Sequence, residues 1–269
     1  MSEVPPPLLA TVDARRGTPS SRDRGVSEVV SFILTFSIIT MMVGLLYTAG
    51  FVSMERLQTG NQMQTAEGVF FAMADSFGEL QEGQAPRRAG ALDLDVGASL
   101  SVNDGSQFSV AVNNATDTMF TRTIVTRSLD YRLDERVVSY ETGAVFRANG
   151  DDSAIVRDPA GMFCSPSTNS AMVSLVTIVD PEGASIASGT ATVSGRQRST
   201  TLLFPDSRNG TTSTENVTVN VTSPYADAWN EYLTDETEWE DPDGDGTFAC
   251  EGVDQVFVRH TVIEVRANA

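Results

Sequence analysis

An uncharged apolar run near the N-terminus restricts this chain's possible folds more than any other feature. No charged residue occurs from Val29 to Met54, a stretch of about 26 positions, whereas about 20 helical residues cross the hydrocarbon core of a bilayer. Arg22 and Arg24 precede the run, and basic residues tend to stay on the cytoplasmic side. The sequence therefore predicts a single-pass helix in the cell membrane, with the N-terminus cytoplasmic and the chain after about Glu55 extracellular.

A cleaved secretory signal and a helix buried in a protein core are the alternatives to a membrane span. The apolar region of a secretory signal has only about 7–15 residues and ends at an A-x-A-like site. The length of the run in this chain argues against both alternatives. We therefore expect a basic, disordered leader at 1–25 and a long helix over 26–82.

The helical pattern continues beyond the apolar run. Apolar residues recur at steps of three and four, which is typical of one buried helix face; they are Ala66, Val69, Phe70, Met73, Phe77 and Leu80. We therefore predict one helix from Val26 to about Leu80. The second half of this helix either packs on the domain that follows or forms a subunit interface in a filament, and both interpretations stay open.

The charge balance is strongly acidic. Asp and Glu total 36 against 18 basic residues, the net charge is −18, and every basic residue is arginine. Such a surface repels nucleic acid, so no nucleic-acid partner is expected. Abundant carboxylates hold water and cations, and concentrated salt screens their mutual repulsion. The absence of lysine favours a halophilic archaeon over an ordinary acidic protein.

The residues that open the helix carry a family resemblance. The sequence RGVSEVV at 24–30 resembles the N-terminus of archaeal type IV pilin-like proteins, in which a prepilin peptidase removes a short basic leader after a small residue. The resemblance implies cleavage after Gly25, with Val26 as the new N-terminus. Glu28 would then lie near the helix start, where a carboxylate can pair with the N-terminal amine of a neighbouring subunit. Residues 26–88 are similar to haloarchaeal pilin-like membrane proteins of no assigned activity.

From residue 91 onward the apolar pattern changes from helical to alternating, which is typical of half-buried strands. Asn103-Asp104-Gly105 is a hairpin signal between two such runs. A short helix is expected at about Tyr225–Leu233. Many short strands separated by Gly, Asn and Asp predict an antiparallel β-sandwich-like domain over 91–269, and with the N-terminal helix the fold class is α+β.

The cysteines and the single histidine limit the chemistry. Cys164 and Cys250 lack CxxC spacing, and a long-range disulfide suits them better than a zinc site, although two buried thiols remain the alternative. His260 has no second histidine to join it in a metal site. No nucleotide-binding, hydrolase or metalloprotease motif occurs, so we expect no enzyme.

Four Asn-X-Thr sequons lie in the predicted extracellular part, and each satisfies the acceptor pattern for N-glycosylation. They begin at Asn114, Asn209, Asn216 and Asn220. Chance matches are common in a threonine-rich chain, but three of the four cluster. Asn216 and Asn220 share one face of a predicted strand, which suits glycans on its solvent side.

The sharpest local motif is DPDGDGT at 241–247. Asp241, Asp243 and Asp245 alternate and a glycine follows, as at the start of a calcium loop. Position twelve of an EF-hand loop would be glutamate, but in this chain it is Gly252. The motif therefore indicates either a calcium-binding loop of a β domain or an acidic turn.

These features predict a membrane-anchored, pilin-like cell-surface glycoprotein. It would be a minor subunit of a type IV pilus-like assembly, whose partners are the lipid bilayer, prepilin peptidase and other pilin-like subunits. The alternative is a stand-alone anchored extracellular binding domain, stabilised by calcium.

Overall fold

A computed structural model of the chain describes residues 21–83, 87–94, 96–206 and 213–269, with the backbone alone at 21–27, 49–58 and 236. The fold is α+β, with an N-terminal apolar helix and a β-rich remainder. The chain divides into two compact units, Met1–Leu57 and Gln58–Ala269. Most of the predicted leader, residues 1–20, lies outside the described residues.

Helix α1 extends from Ser21 to Gln81 and therefore begins five residues before the expected Val26. Residues 21–25, predicted to be disordered, are helical. An apolar pattern gives no signal for helix in the polar residues that precede it, and arginine is a good helix former.

The second half of α1 forms the centre of an apolar core in the unit 58–269. The buried side chains follow the predicted stripe closely, and the stripe residue Val69 is only partly buried; the buried set is Met63, Ala66, Phe70, Met73, Ala74, Phe77 and Leu80. This stripe packs on its own β domain. Of the two interpretations given above, the structure therefore supports packing on the domain that follows.

Thirteen strands follow the helix in the described part of the chain. They are β1 (Arg87–Leu94), β2 (Ala98–Asn113), β3 (Thr118–Leu133), β4 (Arg136–Glu141), β5 (Ala144–Asn149), β6 (Asp152–Arg157), β7 (Met162–Ser165), β8 (Ser170–Val179), β9 (Ser185–Ile186), β10 (Gly189–Phe204), β11 (Asn216–Thr222), β12 (Thr247–Glu251) and β13 (Gln255–Asn268). Helix α2 (Ala226–Glu231) continues into a π-helical turn at Tyr232–Glu236.

The strands form two sheets. One has the order β1-β10-β13-β8-β7, and the other has the order β12-β11-β2-β3-β4-β5-β6, with β9 pairing beside β2. Among the described strand pairs, β8 and β13 are parallel and the rest are antiparallel. The predicted antiparallel domain therefore contains one parallel pair of strands. Alternation along a strand indicates burial of one face but does not reveal the direction of its neighbour.

The hairpin predicted at Asn103-Asp104-Gly105 was also wrong, because β2 passes straight through these residues. A bulge between Asp104 and Gln107 interrupts its pairing with β3. A Cβ at Gly105 would lie 3.0 Å from Glu141 Cδ. The glycine thus serves a close approach of a buried side chain, which is another role of glycine within a strand.

Two apolar cores fill the β-rich unit. One surrounds α1 and includes side chains from both sheets. The other lies around Trp229 of α2, whose ring packs edge-to-face on Phe108 and tilted against Phe146. Alternation along β8 serves both cores, since Val173 and Leu175 belong to the second while Val176 and Ile178 belong to the first.

Candidate functional site

The first half of α1 contains the one segment among the described residues, Glu28–Thr48, that is long and apolar enough to cross a membrane. Its mean hydropathy is 2.4 and none of it is buried in protein. Leu34, Leu45 and Leu46 are each at least 60% exposed. An apolar surface of this size is unfavourable in water and requires a partner.

The threonine side chains of this segment are compatible with an apolar surrounding. The hydroxyl of Thr35 donates to the carbonyl of Ser31, 2.9 Å away, and Thr40 donates to Phe36 at 2.8 Å. Thr48 donates likewise to Gly44. A threonine that bonds to the carbonyl one turn earlier leaves no unsatisfied donor, which is required in lipid.

The predicted processing residues lie at the start of this segment. Gly25 and Val26 fall within α1, where only the backbone is described, and Glu28 is exposed. Cleavage after Gly25 stays a prediction.

The second half of α1 is fixed to the β domain by charge as well as by packing. Each of three acidic side chains on the helix pairs with an arginine on a different strand: Glu67 with Arg147 of β5, Asp75 with Arg157 of β6, and Glu79 with Arg88 of β1. Glu67 is the most buried of the three acids, with 11% of its side chain exposed. Its ion pair raises the pKa of the Arg147 guanidinium.

The sequons differ in their hydrogen bonding. Asn114 Oδ1 accepts bonds from the backbone N–H of Thr116 and Asp117, and its Nδ2 donates no bond to any described residue. By contrast, the Nδ2 atoms of Asn216 and Asn220 on β11 donate to Glu251 and Thr247 respectively. Asn209 lies outside the described residues. Glycosylation stays a prediction, and Asn114 is the described sequon with its nitrogen unengaged.

The acidic loop at 241–247 is held by hydrogen bonds from its own backbone to its carboxylates. The Asp241 carboxylate accepts bonds from the backbone N–H groups of Gly244 at 2.9 Å and Gly246 at 3.1 Å, and both glycines have positive φ. Asp245 accepts from Thr247, while Asp243 is exposed. No group of three or more potential metal ligands occurs in the described part of the chain. The loop is a turn closed by its own carboxylates, and calcium binding by Asp241, Asp243 and Asp245 stays a prediction.

Cys164 of β7 and Cys250 of β12 form a disulfide with a Cα–Cα distance of 5.7 Å. The bond joins an end strand of one sheet to an end strand of the other. Both cysteines are buried in the core around Trp229. The sequence alone did not identify β7 or β12 as strands, because each is only four or five residues long.

His260 and Glu141 are two titratable side chains of the β domain whose pKa values are shifted. His260 Nε2 is 2.9 Å from Thr177 Oγ1, and burial followed by the charge of Arg122 lowers its pKa. Glu141 is fully buried, and burial raises the pKa of its carboxyl. Its Oε1 accepts from Ser106 and Thr126, whereas its Oε2 has no partner among the described residues.

Two comparisons with known proteins bear on identity. A protein-family model, described as a family of unknown function (DUF7289), matches residues 24–266 of the chain. No curated protein matches the chain. The family match covers both the apolar part of α1 and the β domain.

Proposed function

The chain belongs to the DUF7289 family of unknown function, and on that premise we propose that it is a membrane-anchored, pilin-like cell-surface protein. The observation that carries the proposal is the contrast within α1. Its first half exposes an apolar surface with none of it buried, whereas its second half is the core of a β domain. A lipid bilayer is the partner that fits the first half.

The proposed topology places the N-terminus in the cytoplasm and the β domain outside the cell. The arginines before Val29 support this orientation, since basic residues are retained on the cytoplasmic side. The disulfide fits an oxidising exterior. The acidic, lysine-free composition suits the concentrated salt around a halophilic archaeon.

The finer role that we propose is a minor subunit of a type IV pilus-like assembly. The RGVSEVV sequence supports peptidase cleavage after Gly25. After cleavage, the exposed apolar half of α1 can pack against the same segment of other pilin-like subunits. The part of the protein facing outward would be a β-sandwich-like domain glycosylated at Asn114. The role is structural and involves no catalysis.

Anchoring is tested by placing charge in the apolar segment. The double variant Ile38→Arg/Met42→Arg introduces two charges at the centre of Glu28–Thr48, each costing about 3 kcal/mol in lipid. We expect the wild type to stay in membranes after an alkaline carbonate wash and the double variant to appear in the supernatant. The matched control is Leu202→Arg, which adds charge at an exposed position of β10. Release of the wild type, or full retention of the double variant, would contradict anchoring.

A stand-alone anchored binding domain is the second candidate. A cavity of about 340 Å³ beside α1 and β1 favours it, because its walls are mainly apolar and contain small residues such as Gly68, Ala72 and Gly90. Apolar cavities of this size are typical of small-molecule sites. This candidate predicts a protein that remains in the membrane with residues 1–25 attached and is absent from filaments.

A further inference from the structure

Four of the chain's 18 arginines gather on one face of the sheet that contains β1, β10 and β13; they are Arg87, Arg196, Arg198 and Arg266. Gly195 and Val193 of β10 face the core around α1. Because side chains alternate along a strand, Ser194 and Arg196 lie on the opposite face. The cluster therefore belongs to a face of the sheet that α1 does not cover.

The register places two of these arginines directly beside each other. Arg87 of β1 is the cross-strand partner of Arg196 of β10. Like charges in directly opposite positions destabilise a strand pair. Such a pair is explained if an anion binds between the two guanidinium groups.

The carboxylates nearby are engaged by the other two arginines. Glu264 of β13 is only 3% exposed, and Arg266 Nε donates to its Oε1 at 2.9 Å. Arg198, which lies at a bulge of β10, pairs with Oε2 of the same carboxylate. Arg266 also pairs with Glu182 at 3.1 Å. The buried Glu264 carboxylate therefore holds Arg198 and Arg266 in place, but it does not neutralise all four arginines.

Arg87 and Arg196 are left with weak contacts. Arg196 reaches Glu264 only at 3.5 Å, and Arg87 contacts the hydroxyl of Ser194 at 3.4 Å. No carboxylate among the described residues lies within ion-pair distance of Arg87. Both guanidinium groups and the hydroxyl line a cavity of about 230 Å³, together with Glu264 and Arg266.

We propose that this cavity is a binding site for a phosphate-type oxyanion, held by Arg87, Arg196 and the hydroxyl of Ser194. Arginine forms paired, charge-assisted hydrogen bonds with such groups. Counting Glu264 and Glu182, the cluster carries two excess positive charges on a chain whose net charge is −18. An anion is therefore attracted here although the molecule as a whole repels it. The cavity exceeds a bare phosphate, so the group can belong to free phosphate or to a phosphate monoester.

The test is calorimetric titration of the full chain in uncharged dodecyl maltoside micelles, with ionic strength held constant by sodium chloride. The probes are inorganic phosphate and glycerol 3-phosphate. We expect saturable binding of one ion per chain. Arg87→Gln or Arg196→Gln removes one charge-assisted contact, and either variant should weaken the affinity for the probes at least about tenfold. Tighter binding of the monoester would identify an organic phosphate as the ligand, and equal affinity would identify the free ion.

The matched control is Arg122→Gln, which removes the same charge from an exposed position of β3 outside the cluster. It should bind the probes as the wild type does. A melting temperature measured for each variant separates loss of the site from loss of the fold. Absence of saturable binding by the wild type, or equal weakening in all three variants, would overturn the proposal. The outcome is independent of anchoring and of assembly into filaments.

Discussion

The ring of Phe77 on α1 occupies the space that a side chain would need at Gly195 of β10. A Cβ placed on Gly195 would lie 2.4 Å from Cε1 of Phe77, a distance that real Cβ atoms essentially never show. The ring also meets Tyr140 edge-to-face, with centroids 5.1 Å apart. The helix is therefore held against β10 by an aromatic side chain for which only glycine leaves room.

Gly195→Ala should destabilise the β-rich unit. Either the Phe77 ring or the backbone of α1 or β10 has to move, because the added methyl group would overlap a rigid aromatic ring. Overpacking of this kind costs about 1–3 kcal/mol. The measurement is the free energy of unfolding by urea of the full chain in micelles.

Gly90→Ala on the neighbouring strand β1 is the matched control. Gly90 pairs with Val193, and a Cβ there would meet nothing within 4 Å. The stability of Gly90→Ala should be unchanged or raised by up to about 1 kcal/mol, because alanine makes the unfolded chain less flexible. If the two variants lose equal stability, the Phe77 contact is not what requires glycine at 195.

Arg147→Met should destabilise the packing of α1 because it leaves Glu67 without its ion-pair partner. Glu67 is nearly buried, so its carboxylate would lose its ion pair without gaining full hydration. Because the arginine itself is half-exposed, the expected loss is about 1–2 kcal/mol rather than the larger value of a fully buried pair. Urea unfolding measures it.

Asp75→Asn is the comparison for this pair, since 64% of the Asp75 side chain is exposed. Exposed ion pairs contribute about 0–1 kcal/mol, so this variant should stay close to the wild type. A larger loss in Asp75→Asn than in Arg147→Met would contradict the role assigned to burial of Glu67.

The carboxyl of Glu141 should make folding pH-dependent. Burial raises its pKa in the folded protein above its ordinary value of 4.5. The folded state therefore keeps a proton that the unfolded state has already lost. The free energy of unfolding consequently falls as pH rises from about 4.5 to the folded pKa and is level above it. Glu141→Gln cannot ionise, so its stability relative to the wild type should increase across that window.

The comparison requires the difference between the two proteins at each pH, because other acids also titrate. Glu135→Gln removes an equal charge from the exposed turn between β3 and β4, and it reports the effect of net charge alone. A difference between wild type and Glu141→Gln that does not change with pH would show that Glu141 titrates alike in both states.

Loss of the Cys164–Cys250 bond should lower stability substantially. The bond spans 86 residues of sequence, and closing a loop of that length removes entropy from the unfolded chain, worth about 4–5 kcal/mol in the entropic account. Cys164→Ser/Cys250→Ser should therefore unfold at a lower urea concentration, and a reducing agent should shift the wild type but not this variant. An equal shift of both would rule out the disulfide as the cause.

The elements with a strong repeating pattern were predictable from the sequence. The apolar run and the stripe from Ala66 to Leu80 both lie in α1. Alternation also located β11, the predicted strand of Asn216 and Asn220, and its Val217 and Val219 are buried. Each of these predictions depends on many residues that follow the same apolar pattern.

The failures arose where a short local signal competed with tertiary structure. Asn103-Asp104-Gly105 has turn chemistry, but the contact of Gly105 with buried Glu141 requires glycine within a continuous strand. The arginine cluster gave no sequence signal, because Arg87 and Arg196 are brought together only by strand register.

We propose that α1 begins, after cleavage, as a membrane-inserted pilin-like helix. The decisive measurement is the N-terminal sequence of the native protein, recovered separately from membranes and from sheared surface filaments. We expect a start at Val26 in both fractions. An N-terminus that retains residues before Val26, in protein confined to membranes, would contradict it and leave an anchored binding domain.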